Sequence, residues 1–152
     1  MFLFVWYDGY MNIAELDVAE KLNLQVFKDA EYPTVDKAHY GDNPPVWNDE
    51  VFTLVAKEGS EIIGFICINV RMGIAYIESL LVGEKSRNQG IGQKLVFDAE
   101  EKAKSIGAHK IWLETGRTWG TEKFYRRLGY VVRTILPNDV GHQECLLMDK
   151  ML

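Results

Sequence analysis

The 152 residues hold only two cysteines, Cys67 and Cys145. They stand far apart in apolar runs, which suits reduced core thiols of a cytoplasmic protein and gives no disulfide frame. Histidine is scarce too. His39, His109 and His142 lack the spacing of metal ligands, and none neighbours a cysteine or serine in a nucleophile pattern, so neither a metal centre nor a histidine-activated nucleophile is expected. No apolar run reaches the roughly 18 residues that a membrane-spanning helix needs. The apolar start Met1-Phe2-Leu3-Phe4-Val5-Trp6-Tyr7 has no basic leader and meets Asp8 at once, unlike a secretory signal. Positive charge is in deficit, with 17 Lys and Arg against 22 Asp and Glu and a net charge of −5. That excess of acid argues against nonspecific nucleic-acid binding. Repeats and low-complexity segments are absent.

Apolar residues make up 47% of the chain and charged residues 26%, enough for one packed domain over residues 1–152. The charge is uneven. Residues 1–50 carry ten acids and three bases, whereas residues 51–152 carry twelve acids and fourteen bases. An ordinary solvated acidic surface would read this way, and so would a chain whose two parts meet a cationic and an anionic partner.

Hydrophobic periodicity predicts a strand over 1–7 and a helix over 12–28, with Asn12 as N-cap and Ile13, Leu16, Ala19, Leu22 and Val26 on one stripe. Residues 29–50, with Pro33, Gly41-Asp42-Asn43 and Pro44-Pro45, read as a long functional loop. Strands follow at 51–56, 62–70 and 75–82. A helix over 90–106 carries Ile91, Leu95, Ala99 and Ala103 at four-residue spacing and stops at Gly107. Then come a strand at 110–115, a helix at 119–128 and strands at 130–136 and 144–151. The order implies a mixed α/β domain of α+β type, with a mostly antiparallel central sheet of about seven strands flanked by helices. The strand–helix–strand unit at 75–115 implies one parallel crossover.

Between the third of these core strands and its helix lies Arg87-Asn88-Gln89-Gly90-Ile91-Gly92. Glycines spaced by two permit backbone angles closed to other residues and let a ligand approach the main chain. The helix that follows offers its first amides and the positive end of its dipole. A phosphate or pyrophosphate fits such a turn, with Lys85 and Arg87 at its rim; a bare strand-to-helix turn is the alternative. A P-loop would need Gly-Lys-Ser/Thr, but Gly92 is followed by Gln93-Lys94-Leu95. A dinucleotide fingerprint would need a third glycine where Leu95 stands.

Three ordered blocks then resemble the GNAT N-acetyltransferase superfamily. The first is Ser79-Leu80-Leu81-Val82 with Arg87-Asn88-Gln89-Gly90-Ile91-Gly92, which fits the pattern Gln/Arg-x-x-Gly-x-Gly/Ala. The second is Lys110-Ile111-Trp112-Leu113-Glu114. The third is Phe124-Tyr125-Arg126-Arg127-Leu128-Gly129-Tyr130. The resemblance covers 51–152 well and 1–50 only in general layout. It implies acetyl-CoA as cosubstrate, no metal, and direct attack of an amine on the thioester. It places the coenzyme A pyrophosphate on the amides of Arg87, Asn88, Gln89, Gly90, Ile91, Gly92 and Gln93. Its pantetheine arm would run beside Leu80, Leu81 and Val82 as an added strand. Tyr125 matches a tyrosine that protonates the leaving thiolate, while Glu114 and Glu78 match positions from which a base takes the ammonium proton.

The resemblance also assigns residues 1–50 to the acceptor side and 51–152 to an acetyl-CoA-binding core. Glu31, Asp36, Asp42, Asp49 and Glu50 beside Tyr32, Tyr40 and Trp47 suit a cationic small amine or a peptide amine. It allows a homodimer and needs no membrane. A non-catalytic module that senses acetyl-CoA is the alternative. One departure stands out. Many members have an asparagine after the strand that ends at Glu114, and it touches the pantetheine. Here the segment reads Thr115-Gly116-Arg117-Thr118-Trp119-Gly120-Thr121, with Trp119 or a threonine hydroxyl as the stand-in.

Overall fold

The computed structural model describes residues 13–45 and 49–152. The chain divides between Pro44 and Pro45 into two units. The strand expected at 1–7, the cap at Asn12 and Trp47 lie outside the described residues.

In the first unit the expected helix is displaced and lengthened. It begins with a 3₁₀ turn at Val18–Glu20 and continues as α1, Lys21–Tyr40. Asp17, three residues before Glu20, is the cap. Its carboxylate accepts from the Ala19 amide at 2.9 Å, and Glu20 accepts from the Asp17 amide at 3.1 Å, a reciprocal capping box. The loop expected from residue 29 is helix as far as Tyr40. Pro33 deprives the Asp29 carbonyl of its helical donor without ending the helix, and the flanking Ala30, Glu31, Lys37 and Ala38 are good helix formers. Gly41, at φ 67°, ends it by donating its amide to Lys37.

The second unit is a six-stranded sheet: β1 Asp49–Glu58, β2 Glu61–Arg71, β3 Ile74–Val82, β4 Lys110–Gly116, β5 Val131–Leu136 and β6 Cys145–Met151, in the order β1-β2-β3-β4-β6-β5. Every pairing is antiparallel except β3 with β4. That one parallel pair needs a crossover, supplied by α2, Ile91–Ser105. A short helix, α3 Glu122–Arg127, joins β4 to β5. None of the described helices is long and apolar enough to cross a membrane.

Alternation in the strands buries Ile66, Ile68 and Val70 of β2, Ala75 and Ile77 of β3, Ile111 and Leu113 of β4 and Leu146 and Met148 of β6. Leu95, Ala99 and Ala103 of α2, spaced by four as the sequence predicts, are buried in the same cluster with Val96. Two buried carboxylates tie this packing together. Glu100 of α2 accepts from the Tyr130 hydroxyl at 2.9 Å and from Lys150 at 2.6 Å. Asp149 of β6, 2% exposed, pairs with Lys110 at 2.7 Å and Arg133 at 2.6 Å.

Two irregularities position the site. Cys67 pairs with Ser79 while Ile68 pairs with Ile77, so Glu78 is an extra residue, a bulge in β3. The parallel ladder between β3 and β4 holds only from Ile74↔Lys110 to Tyr76↔Trp112. Past these pairs the strands separate, and the β4-facing edge of Leu80, Leu81 and Val82 has no strand partner.

Burial alone would raise the pKa of Asp149, but the hydrogen bonds and charges of Lys110 and Arg133 outweigh it and hold the carboxyl below its usual value. A carboxyl depressed in the fold adds stability above its unfolded pKa of about 3.9 and loses it as pH falls through the lower folded value. Asp149→Asn is expected to cost about 1–3 kcal/mol at pH 7 in urea unfolding. The gap to wild type should narrow as pH drops below about 4, and a gap that widens there would contradict this assignment.

Candidate functional site

The turn from β3 into α2 is built on left-handed backbone. Asn88 has φ 61° and Gly90, the residue before α2, has φ 80°. Lys94 donates the first helical bond, to the Gly90 carbonyl at 3.0 Å. The amides of Ile91, Gly92 and Gln93 therefore precede any carbonyl they could reach within the helix, and they point out of its N-terminus. Arg87 leans back and donates from Nε to the Val82 carbonyl at 3.1 Å, joining the turn to the end of β3.

A cavity of about 820 Å³ opens on this turn. Residues 80–82, 87–88 and 90–93 all line it, so nine of the ten cosubstrate positions expected from the sequence share one hollow. Gln89 does not line it; its side-chain amide donates to the Lys85 carbonyl at 3.3 Å. Trp119, a stand-in for the absent asparagine, lines the cavity too, with Gly120 and Thr121, with Phe124 and Arg127 of α3, and with Leu128 just after that helix. Phe124 and Leu128 belong to the third sequence block, which is the signal that could have found them.

The three proton-transfer candidates stand elsewhere. Tyr125 of α3 is 7% exposed and belongs to the core, edge-on to Phe124 at 5.0 Å and to Tyr130 at 5.5 Å between ring centroids. Burial pushes its phenol up to about 12. Glu114 of β4 and Glu78 in the β3 bulge flank Tyr76, on the sheet face turned away from α2. Tyr76 stacks on Trp112 with centroids 4.5 Å apart. Burial raises the Tyr76 pKa, and the charges of Glu114, Glu78 and Asp139 raise it further. Burial raises Glu114 as well, and Asp139 adds to the shift. Glu78 accepts from the Cys67 thiol at 3.3 Å. Asp139, in the β5–β6 connection, escaped the sequence reading because nothing in the local pattern aims it at Tyr76. Its Oδ2 and the Asn69 Oδ1 are the enclosed side-chain oxygens without a partner among the described residues. This face thus gathers three carboxylates and two aromatic rings, a constellation that attracts a cation and can accept its proton.

The sequence pattern that defines the family described as Acetyltransferase (GNAT) family matches residues 16–130. A curated relative, the uncharacterized N-acetyltransferase YvbK of Bacillus subtilis (strain 168), is 32% identical over 79 residues, which are 51% of this chain and 51% of that one. The chain thus spans about half the length of the curated relative it matches. Among solved structures, an acetyltransferase from Bacillus cereus ATCC 14579 aligns with a TM-score of 0.69 at 22% identity, covering 93% of this chain and 98% of that one. An aminoglycoside 6′-N-acetyltransferase complexed with coenzyme A aligns at 0.62 and 23% identity, covering 93% and 97%. At such identities the structural likeness shows the fold.

The two glycines of the turn should respond in opposite directions to alanine. Gly90 has open space around a Cβ but a left-handed backbone, so Gly90→Ala is expected to cost about 1–2 kcal/mol in strain alone. At Gly92 a Cβ would meet Phe124 at an ordinary 3.5 Å, and alanine suits a helix better by up to ~1 kcal/mol. Urea midpoints of the two variants check both signs.

Proposed function

The chain belongs to the acetyltransferase (GNAT) family, and from that premise we propose that it moves an acetyl group from acetyl-CoA to a primary amine that carries positive charge. The observation that carries this reading is a cavity whose one side is the unpaired edge of β3 and whose end is the amide cluster before α2. A strand edge suits an arm that contains amides, and a helix N-terminus suits a pyrophosphate. Residues 80–82 would pair with the arm. The amides from Arg87 to Gln93 would hold the phosphates, with the Arg87 and Arg127 guanidiniums balancing charge.

Acetyl-CoA supplies an activated thioester whose sulfur leaves as a thiolate. The amine nitrogen bonds the carbonyl carbon as the carbon–sulfur bond breaks. Tyr125, with a pKa pushed up to about 12, stays protonated at neutral pH and is the group we assign to give its proton to the thiolate. Glu114, raised by burial and by Asp139, is the stronger candidate to take the ammonium proton; Glu78 is the second. Support for a cationic acceptor comes from Glu78, Glu114 and Asp139 around the stacked Tyr76 and Trp112. A protein of the same fold is an aminoglycoside 6′-N-acetyltransferase, and an aminoglycoside acceptor would fit the same charge logic. The free thiols of Cys67 and Cys145 support a cytoplasmic enzyme. A non-catalytic acetyl-CoA-binding module is the second reading, favoured by the core burial of Tyr125 off the cavity wall.

Incubation with acetyl-CoA and a panel of amines, followed by free thiol, tests the proposal. Diamines and amino sugars are expected to release thiol at least about 10-fold faster than neutral or anionic amines. Release with the latter alone would overturn the cationic acceptor. Coenzyme A binding without thiol release for any amine would favour the sensor.

The roles of the two acids are separable by pH. With Glu114 as base, kcat/KM falls on the acid side at a pH above the ordinary carboxylate range near ~4.3. Glu114→Gln is expected to remove that limb and lower kcat/KM by about 10²–10⁴-fold. Tyr125→Phe should lower kcat about 10²-fold with coenzyme A affinity unchanged; an unchanged kcat would remove Tyr125 from the reaction.

A further inference from the structure

β4 ends at Gly116, and the chain turns there, with the Trp119 amide donating to the Gly116 carbonyl at 3.0 Å. The indole of Trp119 folds back over Gly116 so closely that a Cβ on Gly116 would overlap it. Its Nε1 donates to Gln143 Oε1 at 3.3 Å. The same turn is pinned by the Arg117 amide on the Glu144 carbonyl at 2.9 Å and by the Arg117–Glu144 ion pair at 2.6 Å. Trp119 is therefore fixed from below, from its edge and through its backbone. It is nonetheless 56% exposed, and it lines the cavity that residues 80–82 also line. A large aromatic face held in place and left in water gains when a ligand covers it. The neighbouring threonines do not compete for this part, because Thr118 does not line the cavity and the Thr115 and Thr121 hydroxyls bond each other at 2.5 Å.

We propose that Trp119, seated on Gly116, is the wall against which the pantetheine arm rests, and that it makes this chain discriminate coenzyme A from nucleotides that lack the arm. This rests on the reading of the cavity as an acetyl-CoA site. The β3 edge supplies hydrogen bonds along one side of the arm, and the indole supplies apolar cover on the other. Gly116 is glycine because any side chain there would displace the indole.

Binding of coenzyme A and of 3′-phospho-ADP, measured by calorimetry on the full chain, tests the proposal. Trp119→Ala is expected to raise the Kd for coenzyme A about 10- to 100-fold and to leave that for 3′-phospho-ADP within about 2-fold. Gly116→Ala should reproduce this selective loss, and Trp119→Phe should fall between. Wild-type tryptophan emission should change on adding coenzyme A, and Trp119→Phe should abolish that change although three other tryptophans remain. Equal weakening of both ligands in Trp119→Ala, or unweakened coenzyme A binding, would overturn the role of Trp119 alone. Failure of the wild-type chain to bind coenzyme A would overturn the reading of the cavity and this role together.

Discussion

The parting of β3 from β4 is the constraint on which the rest of the site depends. Backbone groups inside a sheet are normally paired, and leaving them without partners costs free energy. Here the parallel ladder stops at Tyr76↔Trp112. The bulge at Glu78 comes immediately afterwards and turns β3 aside. The sheet survives because each half is paired on its other side, β3 with β2 and β4 with β6. The α2 crossover and the buried Leu95, Val96 and Ala99 brace the β1–β3 half. What results is a strand edge in the middle of a sheet, protected from edge-to-edge aggregation by its depth and open to a ligand that brings its own amides.

The same parting explains why the chemistry is divided between faces. Tyr125 belongs to the cluster on the α2 side with Val96 and Met148. Glu78 and Glu114 flank Tyr76 on the other side. A reacting centre lodged in the gap would be open to a proton donor from one face and a proton acceptor from the other. Burial raises the Glu114 pKa, and repulsion from Asp139 adds to the rise, toward neutral pH.

Much of this was legible in the residues. The strand pattern from residue 51 onward, the four-spaced stripe of α2 and the glycine turn all follow from period, spacing and helix physics. The bulge did not show, because Ile77-Glu78-Ser79 preserves a plausible alternation into Leu80, and one surplus residue is visible only when a partner strand is laid against it. α1 was misread at both ends. Pro33 lies within the helix and does not break it, and the capping box of Asp17 and Glu20 sets its start later than the 12–28 pattern implies. Trp119 shows in the sequence only as one of several stand-ins for the absent asparagine, because what seats it, the bare Cα of Gly116 and the Gln143 side chain 24 residues on, is visible only in three dimensions.

The β5–β6 connection joins these strands of argument. Asp139 donates its amide to the Gln143 carbonyl at 2.8 Å, and His142 donates its amide to the Asp139 carbonyl at 2.9 Å, closing a turn with left-handed residues at Asn138, Gly141 and His142. One end of that turn presents the Asp139 carboxylate toward Tyr76 and Glu114. The other presents Gln143 to the Trp119 indole. A short, tightly bonded loop therefore touches both the acidic face and the wall of the cavity. Left-handed backbone at non-glycine residues is costly and persists only where surrounding contacts fix it. Here those contacts are the turn's own amide bonds and the 3.1 Å contact between His142 Nδ1 and Asn138 Oδ1, which together hold the loop that carries both Asp139 and Gln143.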